Sequence, residues 1–329
     1  MLPFVGHTKA VRCVAFTPDG LTMVSGGDDG AVLVWDRLNA GLRHTLPSGL
    51  KSVAAVACHP DGERFLAPWK YALAVLDSPD RLRFWSLDSG KPSEVANDDT
   101  GLWHRAELLA KGPELQEIPI SDAASVSALA FRPDGESLVA LHFSRNEASY
   151  NGPKAVRPEW RPCGPKEEAY PSWLDRRVEI SAMSLSGDGE TAAVASHEYV
   201  RVGRLDAGRV PPAYKAAQPV ASIALSPKAS LLVGCWGNVV TVWETGGAAT
   251  LREFDAHTAP VRTVAHSTGG SLVASAGDDG TVLLWEPQSG SIRARYDWNL
   301  GPIHALAFAP DGLTLAVAGQ GGLILFDLE

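Results

Sequence analysis

Val11–Gly20 reads VRCVAFTPDG, and the same ten-residue phrase returns six times along the chain. It recurs at Val53–Gly62 (VAAVACHPDG), Val126–Gly135 (VSALAFRPDG), Ile180–Gly189 (ISAMSLSGDG), Val220–Ala229 (VASIALSPKA), Val261–Gly270 (VRTVAHSTGG) and Ile303–Gly312 (IHALAFAPDG). Successive starts lie 42, 73, 54, 40, 41 and 42 residues apart. Four intervals fall at 40–42, and the other two read as the same period carrying insertions.

Each phrase opens on a β-branched residue, alternates like a strand, and turns back at Pro-Asp-Gly or a relative of it. A second apolar run follows, as in Leu21–Ser25 and Leu313–Ala318. A tight turn, Asp28-Asp29-Gly30 or Asp278-Asp279-Gly280, leads to a third strand that ends on an aromatic residue. These third strands are Ala31–Asp36 (AVLVWD), Leu82–Ser86 (LRFWS), Val239–Glu244 (VVTVWE), Thr281–Glu286 (TVLLWE) and Leu323–Asp327 (LILFD). The residues left before the next phrase hold a fourth strand. Four short antiparallel strands per period make one propeller blade. A lone blade cannot cover both faces of its sheet, so the blades must stack around a ring. The expectation is an all-β, seven-bladed β-propeller, a single domain over residues 1–329, in which Met1–Val5 completes the last blade and removes both open edges.

Gly6-His7 with Trp35-Asp36, and His257 with Trp285-Glu286, resemble the GH…WD signature of the WD40-repeat family. The resemblance spans essentially the whole chain, most fully in repeats one and six and least in three and four. It implies two buried tetrads, His7, Ser25, Asp29 and Trp35, and His257, Ser275, Asp279 and Trp285. In each, the indole bonds to the hydroxyl, the hydroxyl to the imidazole and the imidazole to the carboxylate. A His–Asp–Ser set also suits a nucleophile, but its occurrence twice in one chain suits a repeated structural device. Elsewhere the set is eroded: Gly203 and Phe326 stand at the Trp position, Gly237 and Gln320 at the Asp position, and His197 at that of repeat four.

The two long intervals carry insertions at about 86–120 and 145–175. In the first, Asp98-Asp99-Thr100 reads as a helix start, with Leu102, Trp103, Ala106, Leu109 and Ala110 as an apolar stripe and Gly112-Pro113 as its end. Such a helix covers the flank of blade two or docks a partner. In the second, Trp160 is taken for the Trp position of blade three.

Of 329 residues 45% are hydrophobic and 20% charged, as in globular proteins. The net charge of −9, with no Lys/Arg run, argues against a nucleic-acid partner. No apolar run approaches the roughly 20 residues of a membrane helix. The first residues lack a basic segment followed by an apolar one, so a cytoplasmic location is expected. Cys13, Cys58, Cys163 and Cys235 are too scattered for a zinc site and read as small core residues or surface thiols. No nucleotide-binding loop, GxSxG or HExxH occurs, and Asp-Asp-Gly is ordinary hairpin chemistry. Neither catalytic residues, nor a cofactor, nor a metal is expected.

The resemblance implies docking on the end of the ring that carries the turns between second and third strands. Its positions offer small residues in blades two to four, such as Ser52, Ala54 and Ser127, and Gly319 in blade seven. Trp236, Arg262, His304 and Arg12 form an arc from blade five round to blade one, a composition enriched at interface centres. Arg12–Asp28 and Arg262–Asp278 also read as rim ion pairs within their own blades. The expected function is a non-catalytic, monomeric scaffold for another protein or peptide. The alternatives are a propeller hydrolase or lactonase, or a small-ligand sensor at the central channel.

Overall fold

A computed structural model of the chain describes residues 2–69, 81–87, 117–119, 126–131, 133, 137–142, 157–162, 181–205, 211–247, 250–255 and 257–328. No helix occurs among the described residues. β1 (Leu2–Phe4) comes first, and β2 (Val11–Phe16), β3 (Thr22–Gly27), β4 (Ala31–Asp36) and β5 (Leu42–Pro47) form the first antiparallel sheet. The second sheet holds β6 (Ala57–Cys58), β7 (Arg64–Trp69), β8 (Arg81–Ser86) and β9 (Glu117–Pro119). The third holds β10 (Val126–Phe131), β11 (Ser137–His142) and β12 (Arg157–Pro162). β13 (Ala182–Leu185), β14 (Thr191–Ser196), β15 (Tyr199–Arg204) and β16 (Ala213–Lys215) make the fourth. β17 (Ser222–Leu225), β18 (Leu231–Trp236), β19 (Val239–Glu244) and β20 (Thr250–Asp255) make the fifth. β21 (Val261–His266), β22 (Val273–Gly277), β23 (Thr281–Trp285) and β24 (Ile292–Asp297) make the sixth. The last sheet comprises β25 (Ile303–Phe308), β26 (Thr314–Gly319), β27 (Gly322–Asp327) and, outermost, β1.

The first strands of consecutive sheets touch in order, and β25 touches β2, so the sheets follow one another around a β-propeller. Leu2 pairs with Leu325, Pro3 with Ile324 and Phe4 with Leu323. The first strand of the chain therefore covers the outer edge of its last blade, as expected. Arg37 of blade one adds a second tie across this seam, donating to Asp311 Oδ2 at 2.6 Å and to Thr314 of blade seven.

The core lies between blades. Trp35, Trp243 and Trp285, on the third strands, are 0–2% exposed. Each meets an aromatic residue from the outer strand of the preceding blade. Phe4 stands edge-on to Trp35 at 5.4 Å, Tyr214 lies 5.9 Å from Trp243, and Phe254 stacks on Trp285 at 4.7 Å. In blade seven Phe326 takes the Trp place, and Tyr296 approaches it to 4.6 Å. Such ring pairs add about 0.5–1.5 kcal/mol beyond the area they bury.

Blade three corrects one expectation. β12 contains Trp160, but Trp160 pairs with Val139 and Arg161 pairs with Leu138. Trp35 pairs with Met23, the second residue of its neighbour strand, and Leu138 is the second residue of β11. The Trp place in blade three is thus held by Arg161. The helix expected within 98–112 lies outside the described residues.

Candidate functional site

Three side chains of the expected arc owe their direction to the same backbone irregularity. The pairing of β2 with β3 slips between Val11 and Cys13, that of β21 with β22 between Val261 and Thr263, and that of β25 with β26 between Ile303 and Ala305. Arg12, Arg262 and His304 are the extra residues of these bulges. A bulge turns a side chain away from the face that strict alternation would give it. All three therefore project from the same end of the ring, on blades one, six and seven.

Arg12 Nε donates to Asp28 Oδ2 at 2.8 Å, its terminal nitrogen pairs with the same oxygen, and Ser52 Oγ donates to Asp28 Oδ1 at 2.7 Å. In blade six Arg262 grips Asp278 with two parallel bonds of 2.9 and 2.6 Å. The Arg12 guanidinium holds the Asp28 carboxyl below the usual range, and Arg262 does the same for Asp278. His304 lies between these pairs. A terminal nitrogen of Arg12 sits 3.4 Å from both of its ring nitrogens, so it stacks on the imidazole. Burial, and then the Arg12 charge, push the His304 pKa below its ordinary value, and the imidazole is neutral near pH 7. Lys9, Arg12, Asp28, Pro302, His304 and Gln320 line an open depression of about 520 Å³.

Two positions of the face differ from expectation for one reason. Blades one and six use a three-residue turn closed by a left-handed glycine, Gly30 at φ 73° and Gly280 at φ 72°. In blades four, five and seven the last strand pairs are Ser196–Tyr199, Trp236–Val239 and Gly319–Gly322, leaving only two residues in the turn. Trp236 therefore takes the register place of Gly27, not of Asp28. It is 3% exposed, lies 5.7 Å from Trp243, and offers nothing to a partner. A Cβ on Gly27 would meet His7 Nδ1 at 2.9 Å, so the bulk of Trp236 fits only a blade without the tetrad histidine. By the same shift Gln320, not Gly319, holds the Asp28 place: both backbone N–H groups bond to the carbonyl that begins their blade, at 2.9 Å. Ser52, expected on the bland side, belongs to the Asp28 cluster.

The tetrad residues form two closed chains. Trp35 Nε1 donates to Ser25 Oγ at 2.8 Å, Ser25 Oγ lies 2.8 Å from His7 Nε2, and His7 Nδ1 lies 3.0 Å from Asp29 Oδ2. Trp285, Ser275, His257 and Asp279 repeat this at 2.8, 2.8 and 2.9 Å. An indole only donates and a carboxylate only accepts, so each imidazole donates from Nδ1 to the aspartate and meets the serine hydroxyl at Nε2. Burial would raise the Asp29 and Asp279 carboxyls, but backbone N–H groups and the histidines hold them below the usual range. Ser25 and Ser275 are 0% exposed, so neither hydroxyl reaches a substrate.

Among the described residues no group of three or more His, Cys, Asp or Glu side chains is placed to hold a metal ion. Burial pushes the thiols of Cys13, Cys58 and Cys235 up to about 12, and they behave as apolar core atoms. Cys163 lies outside the described residues.

The family model described as WD domain, G-beta repeat, matches residues 2–36 and 249–286. Each matched segment contains one complete tetrad. A WD repeat-containing protein of Synechocystis is 43% identical over 63 residues, 19% of this chain and 18% of its own length. The small ribosomal subunit protein RACK1y of Oryza sativa subsp. japonica is 33% identical over 41% of this chain and 46% of its own. A ribosome biogenesis protein BOP1 homolog of Anopheles gambiae is 24% identical over 86% of this chain and 33% of its own. The chain thus spans less than half the length of each of these relatives.

Proposed function

We propose that this WD40-repeat chain is a non-catalytic scaffold that docks another protein or peptide on the end of the ring carrying Arg12, Arg262 and His304. The single observation behind this reading is that bulges at the same place in blades one, six and seven aim these side chains outward while the fold uses none of them in its core. Bulges that re-aim side chains belong beside binding sites. Arginine is enriched at interface centres, and Arg12 lines the open depression beside His304. Two of the similar proteins are named as a small ribosomal subunit protein and a ribosome biogenesis protein, which suits a part in a larger assembly.

The test is affinity capture with the full chain from its native host, run beside an Arg12→Glu/Arg262→Glu double variant at equal folded content. Specific proteins retained by the wild type and lost from the double variant support the reading. Identical sets of captured proteins would overturn it.

A further inference from the structure

The face repeats one motif in blades one and six, an arginine gripping the aspartate of the next turn. Blade seven breaks the pattern: its two equivalent places hold His304 and Gln320. Two satisfied ion pairs thus flank a notch whose own groups are not used up. Among the described residues the exposed side chains of Lys9 and Gln320 make no hydrogen bond or ion pair. Arg12 lies 3.4 Å from both ring nitrogens of the half-buried His304, which itself lines the depression. The one carboxylate lining the depression, Asp28, is already bonded by Arg12 and Ser52. What remains unsatisfied is a set of donors around a lysine, in a chain whose net charge is −9.

Resting on the docking reading above, we propose that this notch takes an acidic side chain of an extended peptide and that capture brings a solvent proton onto His304. The depression, about 520 Å³, exceeds what a carboxylate alone needs and falls in the range of ligand sites. The groups facing His304 are Arg12 and Asp28 of blade one and Arg262 and Asp278 of blade six. Their charges cancel in pairs, so the imidazole answers to the next charge placed beside it. A peptide carboxylate there favours imidazolium, with Lys9 as the second cation.

The test uses the full chain with ring-labelled histidines and three blocked or unblocked short peptides. The first carries one Glu and blocked ends, the second carries Gln in its place, and the third is an alanine peptide with a free C-terminal carboxylate. His304→Phe identifies the His304 resonances. The Glu peptide is expected to raise the His304 titration midpoint and to bind about fivefold or more tightly near pH 5.5 than near pH 7.5. That pH dependence disappears in His304→Phe, and Lys9→Ala weakens the Glu peptide several-fold at both pH values. An unmoved midpoint at millimolar Glu peptide, or equal behaviour of the Glu and Gln peptides, overturns the proposal. So does a response confined to the free-carboxylate peptide. A failed peptide test alongside capture that still depends on Arg12 and Arg262 would leave the docking reading standing.

Discussion

Arg12 and His304 stand 292 positions apart in the chain, yet the guanidinium of one lies 3.4 Å from both ring nitrogens of the other. The contact crosses the seam where blade seven meets blade one. It exists because β1 pairs with β27 and because Arg37 ties the two blades on the opposite end. The proposed docking face and the closure of the ring are therefore one structural problem.

Removing residues 1–5 strips β27 of its partner and takes away Phe4, which is 4% exposed and packed on Trp35. Loss of a buried phenylalanine side chain alone costs about 3–5 kcal/mol. The truncated chain is expected to melt well below the full chain and to aggregate through the open edge. Coincident melting curves would refute closure by this strand.

Asp279 receives His257 together with the backbone N–H of Thr258 and Thr281, at 2.9–3.0 Å. Asp279→Ala leaves these donors without a partner inside blade six, at a cost of roughly 2–4 kcal/mol. Asp28 sits one place before the equivalent residue of blade one and holds only a half-exposed arginine and a serine. Its replacement by alanine should cost about 1 kcal/mol or less. Urea titrations of the two variants give both numbers, and equal, small effects would remove the tetrad from the stability account.

Much of this was legible in the residues. The period of the phrase, the Trp35 and Trp285 strand ends and both tetrads lie at fixed spacings, because hydrogen-bonded networks and sheet registers demand them. Turn length was not legible. A two-residue and a three-residue hairpin differ by one position, and that shift placed Trp236 on the surface and concealed Gln320. Nor did spacing reveal Phe4, Tyr214, Phe254 and Tyr296 as a set, since their partners lie on the next blade. For Trp160 the flanking prolines obscured a register that only strand pairing settles.

Trp236→Ala follows from that correction. The indole is buried against Trp243, so its removal should destabilise the fold by about 3–5 kcal/mol. Partner affinity per folded molecule should stay unchanged. Thermal melts and binding measured on the same sample separate the two effects, and a loss of affinity at unchanged melting temperature would return Trp236 to the docking face.

His266 occupies the place of Phe16 and Phe308 at the end of its strand, with both ring nitrogens buried. Burial lowers its pKa to about 4. Above the unfolded value near 6.5 both states are neutral and the site adds no pH dependence. As pH falls from there to about 4 the unfolded chain takes up a proton that the folded one refuses, and roughly 3 kcal/mol of stability is lost. His266→Phe should be more stable than the wild type at neutral pH, and its advantage should widen through this window. A constant difference between the two unfolding free energies across pH 7 to 4 would contradict the assignment.

The most direct measurement is the dissociation constant of the captured partner for Arg12→Glu, Arg262→Glu and Ser181→Glu, each with its melting curve. Ser181 is exposed on blade four, across the ring from the seam. The account predicts about thirtyfold or greater loss of affinity for each arginine variant with little change in melting, and an effect within about twofold for Ser181→Glu. Unchanged affinity in both arginine variants, with binding abolished by Ser181→Glu, would place the partner on the other side of the ring and contradict it.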